Sequence, residues 1–111
     1  MRHKLLTKAL LKKLPPLGAT AEQDDPIVYC KFFFPDHSWT WYVLEYGVRE
    51  DGEEICFGLV DGWEVELGDF SLTELKNTRG KLGLSLERDR WFQPCRLSEL
   101  ENRLRKRRGE M

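Results

Sequence analysis

The pair Asp51-Gly52 stands between two runs dense in β-branched and aromatic residues, Trp39 to Arg49 and Glu53 to Val60. Asp-Gly is the preferred pair for a tight two-residue turn, because both central positions of that turn need positive φ. The middle of the chain is therefore expected to fold back on itself as an antiparallel hairpin, with every other element arranged around it. In the register such a turn sets, Glu50 faces Glu53, Val48 faces Ile55, Tyr46 faces Phe57 and Leu44 faces Leu59, all on one side of the sheet. That side reads as the core face. The other side carries Trp41, Val43, Glu45, Gly47 and Arg49 against Gly62, Val60, Gly58, Cys56 and Glu54, a mixed surface that another element covers only in part.

More strands flank the hairpin. Ile27 to Phe34 is again rich in β-branched and aromatic residues, and Pro35-Asp36-His37-Ser38 supplies turn chemistry after it. Asp61-Gly62 marks another turn, beyond which Trp63, Val65 and Leu67 alternate with Glu64 and Glu66 as in a half-buried strand. Ser71 and Glu74 have the spacing of a capping box, so a short helix is expected from Leu72 to about Asn77. Gly80 to Leu86 reads as a last strand, weakened by Gly83.

The two ends read as helices. Leu6, Leu10 and Leu14 recur every four residues with Lys4, Lys8 and Lys12 on another face, and Pro15-Pro16 stops the helix, giving a basic N-terminal helix over 5–14. After Pro94, Ser98 and Glu101 repeat the capping-box spacing ahead of a helix over 97–107, with Leu97, Leu100 and Leu104 on one side and a basic tail. The expected fold class is α+β: an antiparallel sheet of four to five strands, short helices near both termini, and one helix after the fourth strand. With 111 residues, 41% of them apolar and 12% aromatic, the chain reads as one domain whose sheet core spans 26–87.

The apolar stretches fall far short of the roughly 20 residues a membrane-spanning helix needs. Lys12 and Lys13 interrupt the N-terminal apolar run before it reaches the length of a signal-peptide core. Three unpatterned cysteines, Cys30, Cys56 and Cys95, argue against an extracellular disulfide framework, so the expected compartment is the reducing cytoplasm.

The net charge of −1 hides a segregation. Residues 1–14 and 103–108 each hold five Lys or Arg, whereas residues 18–78 hold fourteen Asp or Glu against Lys31, Arg49 and Lys76. Such asymmetry speaks about partners rather than fold. The basic ends make Lys4, Lys8, Lys12, Arg105 and Arg107 the candidate nucleic-acid contacts, although short basic runs are commonly solvated tails. Trp39, Trp41, Glu53, Glu64 and Glu66 are the candidate partner-facing residues of the acidic middle. The fourteen acids read either as a solvated face or as a mimic of nucleic-acid phosphates that occupies the basic groove of a DNA-handling protein.

No catalytic, cofactor-binding or metal site is expected. The two histidines, His3 and His37, are too few for a metal site of the usual His/Cys spacing. Asp36-His37-Ser38 holds the residue types of a nucleophilic triad, but neighbours in a turn cannot reach the relay geometry. Asp61 with Glu74 and Lys76 matches a magnesium-nuclease pattern superficially, yet Glu74 is committed to a helix cap. The tryptophans and tyrosines offer a base-stacking platform in principle. Aromatics at strand spacing more often fill a core, and here acids surround them, which repels phosphate.

The series Trp41-Tyr42-Val43-Leu44-Glu45-Tyr46, Phe57-Gly58-Leu59-Val60, Glu66-Leu67-Gly68-Asp69-Phe70-Ser71-Leu72-Thr73-Glu74-Leu75 and Leu86-Glu87-Arg88-Asp89 resembles the family known as domain of unknown function 2958. The stretches Leu11 to Pro15 and Val28 to Phe33 are similar too, while residues after about Glu101 lie outside the resemblance. The resemblance implies a small prokaryotic protein, often encoded on plasmids, phages or conjugative elements, and carries over no catalytic residue. The functional expectation is thus a small non-enzymatic accessory protein of a mobile genetic element, working through contacts with an unidentified protein partner and without a cofactor. The alternatives are a nucleic-acid-binding module using the basic termini and an acidic DNA-mimic inhibitor.

Overall fold

A computed structural model of the chain describes residues 5–109, so Lys4 lies outside the described residues. The Thr7 hydroxyl accepts from the Leu10 N–H and opens helix α1 (Lys8–Lys13), later than the expected start at Leu5. Leu5 and Leu6 precede the cap and pack on the core. Lys12 and Lys13 in the last turn suit the negative end of the helix dipole, and the chain leaves the helix at Leu14 ahead of the two prolines.

The strands follow as β1 (Ile27–Val28), β2 (Cys30–Phe33), β3 (Thr40–Val48), β4 (Glu54–Asp61) and β5 (Val65–Ser71), then helix α2 (Leu72–Lys76), β6 (Glu87–Arg88), β7 (Cys95–Arg96) and helix α3 (Leu97–Arg107). The main sheet is antiparallel with strand order β5-β4-β3-β2-β6, and β1 pairs with β7 apart from it. The fold is α+β as expected, with the run from Ile27 to Phe34 divided at Tyr29 between the two sheets.

The hairpin forms where Asp51-Gly52 predicts it, but its turn and register differ. Only Gly52 has positive φ, at 89°, and no non-glycine residue among those described does. The Gly52 N–H donates to Arg49 O at 2.9 Å and the Arg49 N–H to Glu53 O at 2.9 Å. That is a three-residue loop, a turn over Glu50-Asp51 followed by a left-handed glycine, which is the second common way to close a hairpin. Val48 therefore faces Glu54, Gly47 faces Ile55 and Tyr46 faces Cys56, one residue out of the expected register. A bulge between Val43 and Glu45 shifts the pairing once more, so that Val43 faces Gly58 and Tyr42 faces Leu59.

The expectation of one core face is also corrected: β3 is buried on both sides. Trp41, Tyr42, Val43, Leu44 and Glu45 are five consecutive buried residues, which alternation places on opposite faces. One face carries Cys30, Phe32, Trp41, Val43 and Cys56, covered by Leu14, Leu72 and Leu86. The other carries Val28, Tyr42, Leu44 and Leu59, covered by the α3 stripe Leu97, Leu100 and Leu104. The bulge explains why Tyr46, rather than Glu45, joins Trp41 and Val43 on the first face.

Glu45 is the one buried acid among the described residues, 3% exposed. Its carboxylate accepts from the Gly18 N–H at 2.7 Å, the Thr20 N–H at 2.8 Å and the Thr20 hydroxyl. Gly18 has φ of 90°, the left-handed geometry that lets the turn after Pro16 aim its N–H groups at one carboxylate. Tyr46 N–H donates to Pro15 O at 2.9 Å, so the N-terminal segment runs along β3 beyond the bulge, where β2 no longer pairs.

Two further expectations are corrected here. Gly80 to Leu86 is not a strand: Gly83 turns with φ of 84°, Arg79 bridges Ser85, and Asp36 holds the loop through the Leu82 N–H at 2.6 Å and the Leu84 N–H at 3.3 Å. Strand pairing resumes at β6, opposite Phe32 and Phe33. Ser98 does not cap α3 with Glu101. Instead Asp25, far away in sequence, accepts from the Ser98 N–H at 2.8 Å and the Ser98 hydroxyl at 2.6 Å, while Pro26 O accepts from the Leu97 N–H at 2.9 Å. These bonds from the Ser98 hydroxyl and N–H hold the Asp25 carboxyl below its usual range. Ser71 does cap α2, accepting from the Glu74 N–H at 3.1 Å, and its hydroxyl donates to Glu53 at 3.0 Å. Asp25→Ala is expected to speed amide hydrogen exchange at Leu97 and Ser98 while the β3 and β4 amides keep their protection, since only the first turn of α3 depends on it.

Candidate functional site

A line of aromatic rings leads from the core to the surface at the turn between β4 and β5. Phe34 meets Trp41 edge-on with centroids 5.7 Å apart, Trp41 lies 6.2 Å from Trp39, and Trp39 lies 6.0 Å from Trp63 with the rings nearly perpendicular. Trp41 is 8% exposed and Trp63 is 84% exposed. Trp63 thus belongs to the bend after Gly62 and not to a half-buried strand, which begins only at Val65. A Cβ on Gly62 would stand 2.7 Å from the Trp39 indole, so the bare glycine backbone is what lets the ring lie flat there.

The corner is pinned from the C-terminal end of the chain. Arg108, just past α3, donates to Asp61 Oδ1 at 2.8 Å, to Gly62 O at 3.1 Å and to Trp63 O. One basic residue of the tail therefore positions an aromatic display instead of awaiting a phosphate. Trp39, Val60, Gly62, Trp63, Glu64 and Glu66 line a slot of about 190 Å³. That is smaller than the roughly 300–1,000 Å³ of typical small-molecule sites and suits the end of a side chain.

Glu64 and Glu66 form the rim. Their carboxyl groups lie within hydrogen-bonding reach, and the bond from Glu64, together with its charge, pushes the Glu66 carboxyl above its ordinary value. No ion pair engages either of them among the described residues. Two carboxylates held together repel, and a cation between them relieves that repulsion. Indole faces beside the same rim attract cations as well.

The other candidate residues lie elsewhere. Glu53 sits at the opposite end of β4, separated from the slot by a strand of 8 residues, or ~26 Å, and bonds to Arg49 and Ser71. Lys8 and Lys12 are exposed on α1, whose leucines pack with the Trp41 face of the sheet. Arg105 and Arg107 are on α3, which covers the Tyr42 face. The basic ends thus lie over opposite faces and do not form one continuous track. Arg105 lies 3.6 Å from Glu101 and donates to Val65 O at 3.4 Å.

Asp36, His37 and Ser38 form a turn in which His37 Nδ1 accepts from the Trp39 N–H at 3.2 Å. Asp61, Glu74 and Lys76 do not converge, since Asp61 ends β4 beside Arg108 while Lys76 pairs with Glu54 at its start. No three His, Cys, Asp or Glu side chains among the described residues are grouped to hold a metal ion. No helix among them is long and apolar enough to cross a membrane. Cys30 and Cys56 are buried free thiols, and burial pushes the Cys30 thiol up to about 12 and Cys56 upward likewise, which makes both poor nucleophiles.

Sequence reasoning named Trp39, Glu64 and Glu66 but missed Trp63 as the exposed member and Arg108 as its support. Asp61-Gly62 signalled only that the chain turns before Trp63, since the ring that lies on Gly62 is that of the distant Trp39. No curated protein and no solved structure gives a significant match to the chain. The family model described as a protein of unknown function (DUF2958) matches residues 4–108, extending past Glu101 through the basic tail that the sequence reading left out. The chain belongs to that family.

Proposed function

We propose that this protein is a small binding module that captures a protein partner by seating a lysine or arginine side chain in the slot lined by Trp39, Trp63, Glu64 and Glu66. The observation that carries the reading is an almost fully exposed tryptophan, at a corner bonded by Arg108, beside two mutually repelling glutamates that no ion pair engages among the described residues. Large exposed aromatics in a fixed setting are the usual anchors of protein interfaces. Several other acids of the middle are committed inside the fold: Glu45 to the turn after Pro16, Glu54 to Lys76, Asp61 to Arg108 and Asp25 to α3. That leaves fewer free carboxylates for phosphate mimicry and favours a local cation site over the DNA-mimic alternative.

A role as an accessory protein of a mobile genetic element rests on the family resemblance alone. A cytoplasmic setting is supported by the unpaired buried thiols. The test is calorimetric titration with a short arginine- and lysine-rich peptide and with the same peptide carrying citrulline and acetyl-lysine. Saturable binding of the charged peptide is expected, at least tenfold weaker in Trp63→Ala and in the Glu64→Gln/Glu66→Gln double variant. Equal affinity for the neutral peptide, or for the variants, removes the reading.

A further inference from the structure

On the other face of the sheet, α3 and the loop after β6 enclose a second cleft of about 420 Å³, a volume within the range of small-molecule sites. Its chemistry is unlike that of the tryptophan slot. The loop is an Asp-initiated turn: Asp89 Oδ1 accepts from the Trp91 N–H at 2.9 Å, and the Asp89 N–H donates to Lys31 O at 2.9 Å. This anchoring holds Trp91 outward, 83% exposed, while Phe92 turns inward against Tyr42 with centroids 5.8 Å apart. An indole at the mouth and two more rings at the back are thereby fixed by backbone bonds.

The opposite wall is cationic. Arg103 and Arg107 are four residues apart on α3 and both line the cleft. Arg103 bonds only to the Cys95 sulfur, at 3.4 Å, and Arg107 makes no hydrogen bond or ion pair among the described residues. Lys31 crosses the floor, 3.9 Å from Asp89 and 5.8 Å from the centre of the Tyr42 ring. Asp89 is thus occupied by Lys31, and no carboxylate among the described residues pairs with either guanidinium group. A planar fork of N–H donors without a carboxylate is the side chain best matched to phosphate, and a fixed exposed indole is a stacking surface for a base.

We infer that this cleft binds a nucleotide unit, its base stacked on Trp91 and its phosphate held by Arg103 and Arg107. Neither a bare phosphate nor a bare nucleoside satisfies both walls. Glu99, also on α3 at the cleft, disfavours a ligand that offers only negative charge and accepts from the amino edge of a base. The shared chemistry admits two sources, a free nucleotide or the end of a single strand. This inference is independent of the cation slot, which lies on the opposite face and recognises the opposite charge.

The experiment is tryptophan-fluorescence titration of the full chain with the four nucleoside 5′-monophosphates, with single-stranded tetranucleotides, with nucleosides and with inorganic phosphate. Saturable quenching by nucleotides is expected in the wild type and is lost in Trp91→Phe. The Arg103→Gln/Arg107→Gln variant is expected to bind roughly ten- to hundredfold more weakly, at an unchanged thermal midpoint because both side chains are exposed. Tighter binding of tetranucleotides than of monophosphates assigns the site to strands, and the reverse assigns it to free nucleotides. Either result supports the inference. Binding of phosphate as strong as that of nucleotides, binding unchanged in both variants, or no saturable signal at millimolar ligand by calorimetry overturns it.

Discussion

Replacing Gly58 with alanine is expected to lower the thermal unfolding midpoint by roughly 10–15 °C, whereas Gly68→Ala leaves it unchanged or slightly raised. The two glycines face one another across β4 and β5, so the pair isolates local space from strand propensity. An alanine Cβ at 58 would stand 1.7 Å from Tyr42 O and 3.1 Å from Val43 Cα. Both atoms belong to the backbone of β3, next to the bulge, and cannot rotate aside as a side chain could. Relief requires the two central strands to part, a cost of about 3 kcal/mol or more. Around Gly68 nothing lies within 4 Å and its φ is not positive, so alanine there only narrows the unfolded ensemble, a gain of about 0.4–1 kcal/mol. Differential scanning calorimetry of the two variants decides it. Equal midpoints for both would mean that β3 and β4 separate easily at the bulge, and the central packing described above would be wrong.

Glu45→Gln is expected to destabilise the fold at neutral pH by about 2–3 kcal/mol and to do so less as the pH falls. Burial raises the Glu45 carboxyl, but the bonds from the Thr20 hydroxyl, the Gly18 N–H and the Thr20 N–H outweigh it and hold the group below its ordinary value. A carboxyl whose folded pKa is depressed contributes stability that is fully present above its unfolded value near ~4.3 and is lost as pH falls through the lower folded value. The gap between wild type and Glu45→Gln in urea midpoint should therefore be widest near pH 7 and close below about pH 4. Glu54 follows the same sign: burial opposes its ionisation, but hydrogen bonds from Lys76 and Tyr46 prevail. Both wild type and variant thus keep some acid sensitivity, and the difference between them reports Glu45. A gap that stays constant from pH 7 to pH 3 would mean that the carboxylate's charge contributes nothing to the turn after Pro16.

Features governed by residues close in sequence were legible without the structure. Pro15-Pro16 ends α1, Ser71 caps α2, and the Leu97, Leu100 and Leu104 stripe is the buried side of α3. The place of the central reversal was legible from Asp51-Gly52 for the same reason. Its register was not, because the same Asp-Gly pair fits a two-residue turn, in which Asp51 and Gly52 both have positive φ, and a three-residue loop, in which Glu50 joins the turn and only Gly52 does. Ser98 shows the limit from the other side: its spacing to Glu101 imitates a local cap, yet Asp25 takes the bond because β1 pairs with β7 and brings residue 25 to the start of α3.

The candidate sites divide in the same way. Glu64 and Glu66 were legible as the acids of a strand after the Asp61-Gly62 turn, but nothing local told that Trp39 would lie on Gly62 or that Arg108 would bond the corner holding Trp63. Charge segregation was plain in the sequence, while its meaning was not, because ion pairs and caps absorb several of the acids and part of the basic tail. The amino-acid order by itself determined the class of fold, the stop of α1 at the prolines, the cap of α2 and the strand-rich middle, since these follow from φ restrictions, side-chain periodicity and bonds spanning three or four residues. Only the tertiary structure decided the register, the burial of both faces of β3, the turn that holds Glu45 and the two clefts. Each of those depends on groups far apart in the chain, whose contacts come into being only when the whole sheet closes around its bulge.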